Sequence, residues 1–208
     1  LENVKRAVEA GYDSIIFDAA NLPLEENIKK TREAVEYVKS VSASRRTNIL
    51  VEGELGYIGT SSKILEEVPH GAAVTAETMT KPEEAKRFVE ETGVDLFAPA
   101  VGNIHGIVKA GEPRLDIERI RKIKEAARTP LVLHGGSGVS DEDFRAAIKA
   151  GVSVIHINTE IRIDWREGLE EALEKNPEET TPYKLLPEAE EEIYETVLAR
   201  LKLFNNLA

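Results

Sequence analysis

The chain has 208 residues, a formal net charge of -11 and 41% hydrophobic residues, which is enough for one sizeable core and one domain. The negative charge argues against nucleic acid or an anionic membrane as the main partner, and no run approaches the ~18 apolar residues that span a bilayer. Because cysteine is absent, disulfides and thiolate metal sites are excluded; with no signal peptide visible, we expect a cytoplasmic protein.

Three segments of the chain share one design, in which an amphipathic helix ends at a glycine and a short continuous apolar run follows. The glycines are Gly11, Gly93 and Gly151, and the runs are 14–17, 95–98 and 153–157. Two more runs, from Asn48 and from Pro130, fit the same scheme, and predicted helices cover 24–40, 82–91, 116–128, 141–150 and about 189–204. Continuous apolar runs are typical of strands covered on both faces, so this order predicts an α/β fold with a parallel sheet.

Two of the predicted helices carry start signals. Thr80 with Glu83 has the spacing of a capping box, and Ser140 precedes an acidic first turn. These signals fix where helices begin, but the periodicity leaves both a doubly wound sheet and a (β/α)8 barrel open.

Polar side chains stand at the carboxyl end of every predicted strand. In chain order they are Asp18, Glu52 with Glu54, His105, His134, and His156 with Asn158. In a barrel the carboxyl ends of all strands converge on one mouth, whereas the outer strand ends of an open sheet are too far apart. One such residue is typical of a turn or a helix cap, but five consecutive cases favour a shared site and hence the barrel. Imidazoles and carboxylates without thiols suit Zn²⁺ or another borderline divalent metal.

The segment PLVLHGGSGVS, residues 130–140, combines a histidine with a glycine-rich loop at a strand end. Gly135, Gly136 and Gly138 allow a close approach of the backbone, so that N–H groups and the Ser137 hydroxyl can hold a phosphate at the start of the next helix. Lys109, four residues after His105, is a second expected phosphate contact. Neighbouring metal and phosphate sites are what a phosphorylated sugar requires.

Four segments carry a family resemblance: VGNIHGIVKAGEPRLD, PLVLHGGSGVSDEDFRAAIKAGV, VEGELGYIG and IIFDAANLPLEENI. The chain resembles class II, metal-dependent ketose-bisphosphate aldolases of the fructose- and tagatose-bisphosphate kind over nearly its whole length. The resemblance implies a (β/α)8 TIM barrel to which this chain supplies about five of the eight strands. Residues 1–208 would form a single barrel domain without its N-terminal part, with a C-terminal helical extension at about 176–208.

The resemblance also implies the reaction and the site. The enzyme would be a lyase of carbohydrate metabolism that reversibly cleaves a ketose bisphosphate to dihydroxyacetone phosphate and glyceraldehyde 3-phosphate, acting as a homodimer or homotetramer. By this likeness His105 and His134 bind the catalytic zinc, while Asp18 and Glu54 match a second metal position. The phosphate and monovalent-cation loops match Gly106, Gly135, Ser137, Asn158 and Thr159. The family usually carries an asparagine where this chain has His156, which we expect to contact the substrate.

The chain departs from the family pattern in ways that shape the expectation. The family's first three strands, with the Asp-His pair that gives the acid/base and the third zinc histidine, have no counterpart in these residues. We therefore expect residues 1–208 alone to be inactive and poor in metal. Two alternatives stay open: another phosphosugar barrel such as an isomerase, and a truncated barrel that binds a phosphorylated ligand without catalysis.

Overall fold

The computed structural model describes residues 1–45, 47–60, 62–109 and 114–207. Its helices are α1 (Glu2–Ala10), α2 (Leu24–Arg45), α3 (Pro82–Thr92), α4 (Ile117–Ala127), α5 (Asp141–Ala150), α6 (Thr159–Lys175) and α7 (Pro182–Phe204). Its strands are β1 (Ser14–Phe17), β2 (Leu50–Leu55), β3 (Ile64–Leu65), β4 (Leu96–Pro99), β5 (Ile107–Val108), β6 (Leu131–Leu133) and β7 (Val152–Ile155). Within those ranges, no helix combines the length and the apolarity needed to cross a bilayer.

The main sheet has five parallel strands in the order β1-β2-β4-β6-β7. This is the order of the chain without a reversal, whereas a doubly wound sheet reverses its order at a switch point. The prediction of an α/β fold with a parallel sheet is confirmed, and the winding is that of a barrel. The sheet does not close on itself within the described residues, since β1 and β7 lie at its two edges.

Consecutive helices from α1 to α5 pack against each other along the outer face of the sheet. The core beneath them contains Phe88, Phe97 and Phe144, which are fully buried. Gly53 of β2 faces this side, because a Cβ there would lie 2.9 Å from the Phe88 ring. Since neighbouring strand residues point to opposite faces, Glu52 and Glu54 share the inner face.

Several helix boundaries follow the local signals, whereas α2 continues to Arg45, beyond its predicted end at residue 40. Gly11, Gly93 and Gly151 end their helices in the left-handed conformation, with φ of 86°, 70° and 119°. The Ser140 hydroxyl accepts a hydrogen bond from the Asp143 N–H at 3.2 Å, which confirms the predicted cap of α5.

The predicted capping box of Thr80 and Glu83 is wrong by one residue. Helix α3 begins after Lys81, whose N–H lies 3.5 Å from a Glu84 carboxylate oxygen. The Thr80 hydroxyl instead donates to the carbonyl of Leu55 at 2.7 Å and accepts from the N–H of Ala100 at 3.0 Å. These backbone groups follow two buried strands and need partners, so Thr80 bridges the strand ends instead of capping a helix.

Two features of the fold have no counterpart in the sequence prediction. Strands β3 and β5 form a short parallel pair that joins the loop after β2 to the segment after His105. Two-residue strands are too short to show a periodicity. The last helix begins at Pro182 instead of about residue 189, because its first turns pack on α6, where Gly168 would place a Cβ 2.6 Å from the Ala189 Cα. Ser61 of the loop YIGTSSK and residues 110–113 of the resembling segment lie outside the described residues.

Candidate functional site

A cavity of about 410 Å³ opens at the carboxyl ends of β6 and β7. Most of the residues predicted for the site line it: His105, Gly106, His134, Gly135, Gly136, Ser137, His156, Asn158 and Thr159. Thr60, Ser62 and Ile157, which the sequence reasoning did not select, also contribute to the lining. The cavity therefore joins three histidines to the glycine-rich loop.

The centre of the site is a buried contact between an imidazole and a carboxylate. His134 Nε2 lies 2.5 Å from Glu52 Oε1, and His134 Nδ1 lies 3.7 Å from Glu54 Oε1. Glu52, Glu54 and His134 are 2%, 5% and 6% exposed. Strands β2 and β6 are separated by β4 in the sheet, so these side chains meet because the sheet curves around its inner face.

Burial and the close charges shift the titration of these groups. Burial opposes a charge on His134, but the hydrogen bond to Glu52 and the negative charges of Glu54, Glu52 and Asp18 together raise its pKa. Burial raises the pKa of Glu54 to about 7; the charge of His134 opposes this, and the charges of Asp18 and Glu52 add to it. A carboxyl group with such a pKa can hold or release a proton near neutral pH.

Burial also shifts the titration of the other two histidines of the cavity. The pKa of His105 and that of His156 are lowered, first by burial and then by the positive charge of His134. His105 Nδ1 lies 2.8 Å from the carbonyl oxygen of Gly59, which directs its Nε2 away from that contact. Histidines that bind metals usually donate their other ring N–H to a carbonyl or carboxylate in this way.

Three of these side chains are close enough to hold one ion. Among the residues with described positions, Glu52, His134 and His156 each offer one ligand atom, and these atoms lie within 4.8 Å of one another. The ring centroids of His105 and His134 are 5.7 Å apart, and those of His134 and His156 are 4.5 Å apart. Imidazoles with carboxylates and no thiols are the donors that Zn²⁺ and similar cations accept.

The glycine-rich loop beside His134 is shaped for a close backbone approach. Gly135 has a φ of +61°, and a Cβ at this position would lie 2.0 Å from the carbonyl oxygen of Ile104. The Gly136 N–H donates to the carbonyl of His156 at 3.3 Å, which fixes the loop against the residue that follows β7. No side chain larger than hydrogen fits at Gly135 without displacing the backbone.

Two helix N-termini meet at this loop. Helix α5 begins after Ser140 and α6 begins at Thr159, and the Ser137 hydroxyl accepts from the N–H groups of Asn158 and Glu160 at 3.4 and 3.2 Å. The described lining contains no lysine or arginine. An anion here would be held by backbone N–H groups and the positive ends of helix dipoles.

The structure does not bring every predicted residue into the cavity. Asp18 follows the edge strand β1 and is exposed, and its Oδ1 accepts from the Ala20 N–H at 2.9 Å. Lys109 forms an exposed ion pair with Glu66 at 2.6 Å and lies outside the cavity lining. Glu54 is not part of the cavity lining, but its Oε1 lies 3.7 Å from Nδ1 of His134, which is part of it.

The sequence does not reveal the structural roles of two residues that hold the site in place. Asn103 is fully buried; its side-chain N–H donates to the His134 carbonyl at 2.9 Å, and its Oδ1 accepts from the Val101 N–H at 2.8 Å. The sequence predicts Glu52 as a member of the shared strand-end set but does not reveal its contact with His134. The alternation of strand faces, which puts Glu52 and Glu54 on one side, and a polar Asn103 in the run AVGNIHG were the signals that could have found them.

Comparison with known proteins identifies the family. The family model described as fructose-bisphosphate aldolase class-II matches residues 1–207. A fructose-bisphosphate aldolase of Geobacillus stearothermophilus is 35% identical over 205 residues, which are 99% of this chain and 67% of that relative. One of Staphylococcus aureus is 36% identical over 203 residues, which are 98% of this chain and 66% of that relative.

A solved structure gives the same result. The YdjI aldolase of Escherichia coli K12 matches with a TM-score of 0.72 and 32% sequence identity, over 98% of this chain and 64% of that one. The chain spans about two thirds of the length of these relatives. The resemblance found in the histidine and glycine motifs is thus confirmed over the whole length of the sequence, and the chain belongs to the class II fructose-bisphosphate aldolase family.

Proposed function

We propose that this chain carries the metal-binding and phosphate-binding side of an aldolase that reversibly cleaves fructose 1,6-bisphosphate, or its tagatose epimer, to dihydroxyacetone phosphate and glyceraldehyde 3-phosphate. The observation that carries the proposal is the single cavity in which His134 continues directly into the Gly135–Gly138 loop. Family membership supports the reaction class. We also propose that the reaction takes place in the cytoplasm.

The glycine-rich loop holds one phosphate of the substrate. Ser137 and the N-termini of α5 and α6 supply hydrogen-bond donors and positive dipole ends around the loop. Asn158 and Thr159 stand at the second of these helix starts, and Gly106 lies across the cavity. Binding through backbone groups fixes the phosphate without a lysine or arginine in the described lining, which keeps the reacting carbons next to the histidines.

The donor set fits Zn²⁺. His105 and His134 hold the cation in this proposal, and Asp18 and Glu54 offer carboxylates for a second position. When bound, a divalent cation polarises the substrate carbonyl and stabilises the negative charge that develops as the carbon–carbon bond breaks. The Glu52 carboxylate lies 2.5 Å from His134 Nε2, at the edge of this donor set.

The proton that must be moved during cleavage needs an acid/base group. By the family resemblance this group is an aspartate from the part that the longer relatives have in addition to the segment matched here. Such a positioned group typically contributes ~10²–10⁴-fold in rate. Residues 1–208 alone are therefore expected to cleave far more slowly than the complete arrangement.

The experiment compares two proteins. One is the 208-residue chain, and the other is the same chain joined to the N-terminal segment of the Geobacillus stearothermophilus relative. Both are supplied with Zn²⁺, and release of triose phosphate from fructose 1,6-bisphosphate is followed with a coupled NADH assay. We expect cleavage by the joined protein that is lost with a chelator and restored by zinc.

Three results bear on the alternatives. A folded, zinc-loaded joined protein that binds the bisphosphate without cleaving it would favour the non-catalytic barrel. Cleavage that is insensitive to the chelator would contradict metal dependence, and isomerisation of the substrate would favour the phosphosugar isomerase.

We also propose that the chain assembles with copies of itself, as a homodimer or homotetramer. Helix α7 exposes Tyr183, Tyr194 and Leu201, which the helical period places on one side of the helix, and exposed apolar side chains along one helix face are typical of contact sites. Light scattering on the eluate of a sizing column, repeated for Leu201→Glu, tests this assembly; a monomer with the native sequence would contradict it.

A further inference from the structure

The position of His156 is fixed by its backbone on both sides. Its N–H donates to the carbonyl of Leu133 at 2.9 Å, and its carbonyl accepts from the N–H of Gly136 at 3.3 Å. These two bonds tie the residue after β7 to the end of β6. They place its ring against that of His134, with ring centroids 4.5 Å apart and an interplanar angle of 54°.

The ring of His156 completes a set of donors around one point. One ligand atom each from Glu52, His134 and His156 lie within 4.8 Å of one another. A cation bound at ~2.0–2.2 Å from nitrogen and oxygen ligands holds neighbouring donors ~3–4 Å apart, so small side-chain rotations close the set. Glu52 lies within β2, and His134 and His156 directly follow β6 and β7, so all three belong to strands of the curved main sheet.

The charges around the set call for a cation. Glu52 and Glu54 are both buried within the cluster. His134 is their direct partner in the described structure, and the described cavity lining has no lysine or arginine. Buried carboxylates are costly unless they are paired or bind a metal.

We propose that His156 is a direct ligand of the divalent cation at this mouth, in one group with His134 and Glu52. The histidine at this position places a further nitrogen ligand within residues 1–208. The third histidine that we expected from outside residues 1–208 is then matched by one within them. The cation is of the borderline class that prefers imidazole, such as Zn²⁺ or Co²⁺, and not Mg²⁺, which prefers oxygen.

The inference deepens the proposed function, on which it rests for the presence of a metal, but its test does not depend on catalysis. The 208-residue chain is stripped with a chelator, and its dissociation constant for Zn²⁺ is measured by competition with a chromophoric chelator. The variant is His156→Asn, which removes the imidazole and keeps a polar side chain. The matched control is His70→Asn, since His70 is exposed and does not line the cavity.

We expect His156→Asn to bind Zn²⁺ at least ~10–100-fold more weakly, because loss of an outer hydrogen-bonding partner alone has an effect of that size. His70→Asn should bind as the native sequence does, and His134→Asn should lose binding to a similar or greater extent. Equal thermal unfolding of the native chain and His156→Asn in the presence of the chelator would show that the variant folds. An affinity of His156→Asn within about twofold of the native value, with His134→Asn impaired, would overturn the proposal.

A second measurement follows metal binding by the native sequence, so its result does not depend on metal binding by a variant. Long-range ¹H–¹⁵N correlation spectra report the ring nitrogens of all four histidines, and His156 and His70 are assigned from the two asparagine variants. On addition of Zn²⁺, one ring nitrogen of His156 should shift to a metal-bound position while His70 is unchanged. A shift confined to His105 and His134 would refute the role of His156.

The aldolase assay separates this inference from the proposed function. Zinc binding that depends on His156 in a protein that never cleaves a ketose bisphosphate supports the ligand and contradicts the function. Zinc-dependent cleavage with an unchanged affinity in His156→Asn supports the function and contradicts the ligand. Displacement of Zn²⁺ by an equal concentration of Mg²⁺ would overturn the assigned class of cation.

Discussion

The polar side chains at the mouth of the sheet form an inner half, which contains Glu52 and His134, and an outer half, which contains Asp18. The two halves differ in how firmly these side chains are held. Glu52 lies within the interior strand β2 and His134 directly follows the interior strand β6; both are buried, and His134 Nε2 lies 2.5 Å from Glu52 Oε1. Asp18 follows the edge strand β1, is exposed, and bonds to the N–H of Ala20 two residues further on. The residue types alone look alike in the two halves, so the difference comes from the number of packed neighbours that each strand has.

The largest expected difference in the free energy of unfolding is between the loss of the His134 side chain and the loss of the Asp18 side chain. His134→Ala leaves Glu52 and Glu54 buried without their partner, and the free energy of unfolding should fall by about 3–5 kcal/mol, as expected when one member of a buried pair is removed. Asp18→Ala should change it by less than about 0.5 kcal/mol, because the side chain is exposed. Urea unfolding in the presence of a chelator measures both.

Similar losses for the two variants would contradict the division of the mouth into two halves. Partial recovery in the double variant His134→Ala/Glu52→Gln would confirm that an unpaired buried carboxylate causes the loss.

The second prediction compares two glycines with a positive φ. Gly135→Ala combines a left-handed backbone, which costs about 1–2 kcal/mol, with a clash against the Ile104 carbonyl, which adds about 1–3 kcal/mol. Gly11→Ala, at the end of α1 beside β1, has a φ of +86° but no atom within 4 Å of the new Cβ. Its cost should be limited to about 1–2 kcal/mol. Thermal unfolding measures the difference, and a larger loss at Gly11 would reverse the comparison.

The third prediction concerns Arg200 of α7, which supports the inner half of the mouth from outside the sheet. Arg200 of α7 holds both Glu160 oxygens at 2.8 and 2.9 Å and Asp141 at 3.0 Å, which links the starts of α6 and α5. Arg200→Lys cannot reproduce the two-pronged contact, and we expect a loss of about 1–2 kcal/mol together with weaker binding of inorganic phosphate.

Phosphate affinity by calorimetry is the readout that distinguishes positioning from general stability. Arg166→Met, which removes an exposed ion pair to Glu170 within α6, serves as its control. An unchanged phosphate affinity in Arg200→Lys would show that the helix starts need no support from α7.

The smallest effect is expected on the sheet edge itself. Ile16 of β1 is 45% exposed, whereas Val51 of β2 is fully buried. Ile16→Thr should change the free energy of unfolding by less than about 0.5 kcal/mol, but Val51→Thr buries a hydroxyl and should cost about 1–3 kcal/mol. Slower aggregation of Ile16→Thr would fit an apolar strand edge that associates with other chains. Equal losses of stability would show that β1 is as well packed as β2.

The sequence by itself determined the features of this protein that depend on residues close together in the chain. Gly11, Gly93 and Gly151 predicted the helix ends because only glycine takes the left-handed conformation without a penalty. The apolar runs after them predicted parallel strands, and the Ser140 cap predicted the start of α5. The polar residues at the strand ends predicted that a site would form at one end of the sheet.

Only the tertiary structure decided which of those residues meet. Glu52 and His134 come together across β4 because the sheet curves, and His156 lies nearer than His105 to the His134 ring because β7 is bonded to β6. Thr80 does not cap a helix as predicted, because its hydroxyl bonds to the Leu55 carbonyl and the Ala100 N–H, two buried backbone groups at strand ends that need hydrogen-bond partners. Curvature, strand pairing and the satisfaction of buried groups involve residues far apart in the chain, so no local pattern encodes them.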